Sequence, residues 1–246
     1  RIMPDLIMML WSGGLYGLNS LCRAALSQAA GAVVGACQNV EQSLIERPMV
    51  GITSFGKSCL RYMVTLKPAL EARGYEVAVF HTTGMGGRAY ESLAGQGRFC
   101  AVFDFSLQEL SNHLGGSCVS AGPDRLMGAG RAGVPQLVAP GAVDMIDFPA
   151  WDDPPDGLSG RPSHVHNRLI ASSSLGPPMR RRVAQEIGRR LAMANGPTCL
   201  LVPTQGLHAW DSEGQPLHDR QGLEAFVAEM RRQTSPRTEY QEIDAH

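Results

Sequence analysis

Short apolar runs alternate with stretches of helical periodicity along nearly the whole chain, and most of the runs end in a glycine-rich or small-residue turn. The runs fall at 6–10, 49–55, 76–80, 100–105, 134–139, 198–203 and 239–243. Between them lie helical patterns at 15–37, 58–73, 84–93 and 220–232, and one that ends at Gly133. The clearest helix opens at Pro177 and Pro178, carries Met179, Val183, Ile187 and Leu191 on one stripe, and stops at Gly196-Pro197. Strands separated by helices pair in parallel through right-handed crossovers, which put helices on both faces. The expected fold class is therefore α/β, a Rossmann-like three-layer sandwich with a mainly parallel sheet. In such sheets ligands bind beyond the carboxyl ends of the strands. Function is to be sought in the loops after 10, 55, 80, 105, 139 and 203.

A chain of 246 residues can bury a large core, and a single α/β domain over 1–246 is expected. The stretch 141–176, rich in Pro, Gly, Asp and Ser, reads as one long irregular loop. The chain starts at Arg1 and enters an apolar run at 6–10, which suggests a piece of a longer two-part protein. A formal net charge of -1 gives no electrostatic reason to expect nucleic acid or an anionic membrane as partner. Arg180, Arg181, Arg182, Arg189 and Arg190 share a helix whose other face is apolar, so they read as a solvated face.

Six cysteines without a CxxC pair, several in apolar runs such as Phe99-Cys100-Ala101-Val102 and Thr198-Cys199-Leu200-Leu201, read as reduced, buried thiols. With no secretory signal visible, a cytoplasmic protein is expected. The Ala- and Gly-rich segment 15–37 is interrupted by Asn19, Arg23 and Gln28. It fits a buried or interface helix, and a dimer face, better than a membrane span.

Several carboxyl-edge loops could carry chemistry. After 76–80 comes His81-Thr82-Thr83-Gly84-Met85-Gly86-Gly87-Arg88, where glycines permit a tight turn and helix-start amides favour an anion. Residues 51–58, Gly-Ile-Thr-Ser-Phe-Gly-Lys-Ser, satisfy the P-loop pattern by letter. Only Met49 and Val50 precede Gly51, so Ile52 to Phe55 are needed as strand. Ser106-Leu107-Gln108-Glu109 has capping-box spacing. Gly122-Pro123-Asp124-Arg125 reads as a turn into a helix with Pro123 at its first position, and Arg125 could stand near a phosphate. Asp144 and Asp147 follow the 134–139 run, and His164-Val165-His166 on a strand would put both imidazoles on one face. A metal held by Asp144 or Asp147 with His164 and His166 is one candidate site, and these are also the candidate catalytic groups. After 198–203 comes Gln205-Gly206-Leu207-His208-Ala209-Trp210-Asp211, read as a turn. There is no GxSxG elbow.

Taken in order, these segments resemble the ATP-binding, tomato-mosaic-virus-resistance-like (Tm-one-like) domain family of plants, fungi and many bacteria. The resemblance rests on Tyr16-Gly17-Leu18-Asn19, Ala29-Ala30-Gly31-Ala32, Gly51 to Gly56, Gly74 to Val77 and Phe80 to Arg88. It continues through Ser120 to Leu126, Pro140 to Met145, His164 to Asn167, and Pro203 through Gly206 to Asp211. Lys57-Ser58, Ser106-Leu107-Gln108, the 172–174 region and His208 depart from the family's usual residues. The resemblance implies the C-terminal subdomain of a two-part module, ATP association and a homodimer. The expected ligand is a phosphate-bearing small molecule, such as ATP with magnesium. Its candidate contacts are Ser54, Phe55, Gly56, Lys57, Ser58, Thr83, Gly84, Met85, Gly86, Gly87, Arg88, Gly122 and Arg125. Two alternatives stand beside it: a metal-assisted enzyme acting on a small carbonyl or phosphate compound, and a dimeric interaction scaffold.

Overall fold

The computed structural model describes residues 19–39 and 47–246. The strand expected at 6–10, together with Tyr16, Gly17 and Leu18, lies outside the described residues. Where one unit was expected, the chain divides into two compact units, Arg1–Glu46 and Arg47–His246. In the first, α1 (Ser20–Gln38) is capped by Asn19, whose side chain accepts from the Cys22 amide. Leu21, Leu26, Val33 and Val34 of α1 are exposed. No described helix is long and apolar enough to cross a membrane.

The second unit alternates strand and helix as its apolar runs require. In chain order it holds β1 (Met49–Ser54), α2 (Gly56–Glu71), β2 (Glu76–His81), α3 (Met85–Gly95), β3 (Ala101–Asp104), α4 (Gln108–Leu114), α5 (Gly128–Ala132) and β4 (Gln136–Val138). Then come β5 (Met145–Pro149), β6 (Ser163–Val165), β7 (Ile170–Ser174), α6 (Pro177–Ala192), β8 (Thr198–Pro203), α7 (Arg220–Gln233) and β9 (Thr238–Ile243). Six strands form one sheet in the order β2-β1-β3-β4-β8-β9, and every pairing in it is parallel. The chain moves from β1 to β2 in one direction and from β2 to β3 in the other. With right-handed crossovers this reversal sends α2 to one face and α3 to the opposite one. The expected Rossmann-like α/β sandwich is the fold observed.

The core follows the predicted stripes. Val183, Ile187 and Leu191 of α6 pack with Phe226 and Met230 of α7 and with Val138, Leu200 and Val202 of the sheet. A second cluster joins Tyr90, Phe99, Val102 and Val134. Phe99 explains Gly51, since a Cβ there would come within 2.8 Å of the Phe99 ring.

Three readings of local structure are corrected. The segment 141–176 is not an irregular loop: β5, β7 and β6 form a three-stranded antiparallel sheet within it. Apart from Pro149, the last residue of β5, its Pro and Gly residues lie in the connections, and the short Ser-rich β7 carries too few apolar residues to signal a strand. No helix starts at Pro123; residues 123–127 form a turn, with Leu126 at φ 67, and α5 begins at Gly128. Cys100 is exposed and Cys199 half-buried, because strand ends and outward-facing positions escape the core.

Candidate functional site

Under the carboxyl ends of β1 and β3 the polar groups close on one another. Thr53 donates to Asp104 at 2.7 Å and accepts from the amides of Phe105 and Ser106. Thr82, Ser106 and Gln108 link side chain to side chain, all buried. Ser106 therefore caps no helix. The expected capping box fails because the Glu109 side chain is drawn away from the helix start, to Arg125.

Arg125 is fully buried and is the hub of this region. It forms a two-pronged pair with Asp104 at 2.6 Å, and reaches Glu91 and Glu109 at 2.9 Å and the Ser106 carbonyl at 2.7 Å. Burial works against its charge, but Asp104, Glu91 and Glu109 raise its pKa well above the usual value. Glu91 in turn accepts from the amides of Leu126, Met127 and Gly128.

The glycine turn is filled from within. Glu109 accepts from the Gly84 amide at 2.5 Å and from the Gly87 amide at 3.2 Å. A Cβ on Gly87 would lie 1.7 Å from the Glu109 carboxylate. These glycines do bring amides to an anion, as the sequence suggested, but the anion is the protein's own carboxylate. Arg125 likewise has no reach to a ligand, because every prong of its guanidinium is engaged inside the protein. Gly122 sits in the turn before it at φ 95. Arg88 is half-buried, its guanidinium 3.5 Å from the Ser120 carbonyl.

The neighbouring turn is open. Gly51 to Ser54 are strand, paired with both β2 and β3, so the P-loop letters do not form a phosphate-wrapping loop. Beyond them Phe55 is half-buried and stacked on His81 at 6.0 Å, while Gly56 and Lys57 are exposed. The Ser58 side chain lies outside the described part of α2. Among the described residues no side chain caps this helix. Thr83 and Met85, on the adjacent turn, are exposed, and Gly86 is half-buried against the His81 carbonyl.

A second polar cluster lies beyond β4 and β8. The Ala142 amide donates to the Leu207 carbonyl at 2.9 Å, tying the loop after β4 to the loop after β8. This brings Asp144 Oδ1 to 3.1 Å from His208 Nε2. Arg180, from α6, stands 3.3 Å from Asp144 and 3.6 Å from Asp219, which also pairs with Arg161 at 3.0 Å. Asp211 accepts from the amides of Leu207 and His208 and lies 2.8 Å from His246 Nε2. Gly206 allows that approach, since a Cβ there would meet His246 at 2.2 Å and Asp211 at 2.5 Å. Burial pushes the Asp144 carboxyl up, but His208 and Arg180 prevail and hold it below the usual range. Burial lowers His208, and Asp144 outweighs it, leaving a net rise. The Trp210 amide donates to His208 Nδ1 at 3.2 Å, which opposes a second proton on the ring.

The expected metal set is thereby redrawn. Asp144 is in the cluster, but His164 and His166 are not. Both rings lie against Trp210, at 4.6 and 5.2 Å between centroids, on one face as the spacing predicted. His208 meets the same indole edge-on, 6.0 Å between centroids. Asp147 is taken up structurally, by Asn112 at 2.9 Å and Ser172 at 2.6 Å. Asp144, His208 and Asp211 are instead the group whose ligand atoms all lie within 4.8 Å of one another. His208 and Asp211 were in view on the 205–211 loop, but only the Ala142–Leu207 link puts them beside Asp144. A cavity of about 490 Å³ borders the cluster, lined by Asp211, Ser212, His218, Asp219 and His246 among others. Ser212, His246 and Asp211 do not make a nucleophilic relay, because both contacts fall on the same imidazole nitrogen.

The fold and these sites define a doubly wound α/β domain with one sealed and one open polar cluster along its carboxyl edge. Residues 47–246 match the model described as "Uncharacterised protein family (UPF0261) C-terminal domain", and the chain belongs to that family. It is 55% identical over 246 residues to a UPF0261 protein of Brucella melitensis, covering 100% of this chain and 59% of that protein. A UPF0261 protein of Clostridium tetani is 36% identical over 202 residues, 82% of this chain and 50% of its own length. The ToMV resistance protein Tm-1(GCR237) of Solanum lycopersicum is 27% identical over 224 residues, 88% of this chain and 29% of that protein. The chain thus spans 59% of the Brucella relative's length.

Proposed function

We propose that the domain binds a nucleotide or another phosphate-bearing small molecule, ATP with magnesium being the expected form, against the first turn of α2. The observation that carries this reading is that α2, a sixteen-residue helix, starts uncapped and exposed beyond β1, where the chain's direction across the sheet reverses. A helix start presents unsatisfied amides and about half a positive charge, and an anion answers both. Exposed Lys57 adds a full charge, and exposed Thr83 a hydroxyl, on the same rim. Gly84 and Gly87 contribute shape rather than amides, since Glu109 holds them. The resemblance of the sequence to the Tm-one-like family implies the same class of ligand. A homodimer through the apolar residues of α1 belongs with it, and sedimentation at several concentrations tests that part.

Calorimetric titration of the full chain with ATP–magnesium, other nucleotides and inorganic phosphate tests the ligand. Binding should weaken about tenfold in Lys57→Ala, the equivalent of about 1.4 kcal/mol. No heat and no competition with any of these ligands removes the proposal. A metal-assisted enzyme acting on a small carbonyl or phosphate compound is the second reading, favoured by the clustering of Asp144 and His208 with Asp211, a wall of the 490 Å³ cavity. Turnover screens on such compounds, with His208→Ala for comparison, check it.

A further inference from the structure

We propose that Asp144, His208 and Asp211 form a binding site for a transition-metal dication of the zinc class. The inference shares its residues with the metal-assisted reading and is independent of the nucleotide reading, whose contacts lie at α2.

Proximity of acids alone would not carry this, but a second observation does. Asp144 is 1% exposed and His208 is 7% exposed. Even so, both Asp144 oxygens and His208 Nε2 form no aligned hydrogen bond among the described residues, although they face one another at ion-pair distance. Buried polar atoms are nearly always satisfied, so a group left unsatisfied points to something that completes it. The unsatisfied atoms here are a carboxylate and an imidazole nitrogen, with a second carboxylate, Asp211, within the same 4.8 Å. One imidazole and two carboxylates suit zinc and its first-row neighbours; magnesium prefers oxygen ligands and retained water.

The charges agree. Asp144 and Asp219 face Arg180, Asp219 also faces Arg161, and Asp211 faces His246, so the cluster sets three carboxylates against two guanidiniums, with His208 beside Asp144. The cluster keeps an excess negative charge when the imidazoles are neutral. Arg180 need not leave, since it also donates to the Leu175 carbonyl at 2.9 Å and stands near Asp219. Asp211 accepts backbone amides of the 207–208 turn, which orients its carboxylate as second partners orient metal ligands. Coordination through Nε2 moves the imidazole proton to Nδ1, so the Trp210 amide contact opens on binding. Three protein ligands leave a fourth position, and Asp211 is also a wall of the cavity, which gives that position an outlet.

The test uses the full chain stripped with a chelator, then titrated with Zn2+, Co2+ and Mg2+ against a chromophoric competitor. One equivalent of Zn2+ should bind, Co2+ should show the visible bands of low-coordinate cobalt, and Mg2+ should not displace either. Affinity should fall at least tenfold in His208→Ala and in Asp144→Asn, and stay unchanged in His166→Ala. His208→Gln, which keeps a polar group in place, serves if the alanine variant does not fold, and must show the same loss. Zinc should also raise the melting temperature of the wild type. Absence of stoichiometric binding overturns the site, as does binding that His208 and Asp144 variants leave intact or that His166→Ala abolishes. Metal binding without turnover would keep the site and remove only the enzyme reading.

Discussion

Arg125 and Arg180 are both buried arginines ringed by carboxylates near one sheet edge, yet their surroundings differ in completeness. Arg125 meets Asp104, Glu91, Glu109 and a carbonyl with aligned bonds at 2.6–2.9 Å. Arg180 meets Asp144 and Asp219 only at 3.3 and 3.6 Å, and its Nη2 has no aligned partner among the described residues. The first network holds four elements of the fold in place and closes the glycine turn to outside ligands. The second is held loosely beside a cavity. A buried network that is fully satisfied specifies structure, and one that is not is where function is to be sought.

The sharpest way to break this contrast is to remove the two arginines separately. Arg125→Met leaves three buried carboxylates without their cation and should cost about 3–5 kcal/mol, a large part of a domain's usual stability. Arg180→Met leaves Asp144 with His208 and Asp219 with Arg161, so its loss should be roughly half as large. Urea denaturation measures both, and equal losses would erase the distinction. Gly87→Ala drives a Cβ into Glu109 and should cost about 2 kcal/mol, read in the same experiment.

Smaller effects come from the ion pairs along α6 and α7. The Arg189 and Arg190 side chains hold Glu186 at about 2, and Arg232 with Gln185 and Gln233 holds Glu229 at about 2. Folded values below the usual carboxylate range mean stability that is full above about 4.5 and lost as pH falls towards about 2. Glu229→Gln should flatten that acid limb in a pH series of melting temperatures. Lys57→Ala, exposed and unconnected to either network, should change stability by less than about 0.5 kcal/mol while weakening ligand binding.

Much of the architecture was legible because periodicity and punctuation are local. The stripe Met179, Val183, Ile187, Leu191 marked α6, Gly133 marked the end of α5 with φ 72, and the run 198–203 is β8. Short polar strands were not legible, since β6 and β7 gain their partners from each other and from β5 rather than from an apolar pattern. At the sites, Gly84, Gly87 and Arg125 were read as ligand contacts and Asp144 as a metal or catalytic group, and the side chains that meet them come from distant positions. Glu109 was read as part of a helix cap, and His208 as part of a turn.

The sequence by itself determined the alternation of strand and helix, the parallel sheet and the edge where polar loops gather, because those follow from side-chain period and turn chemistry along neighbouring residues. Only the tertiary structure decided which anion the glycine turn holds and which histidine meets Asp144. Both depend on side chains far apart in the chain meeting in a low-dielectric interior, where burial and charge pairing, rather than local propensity, select the partner.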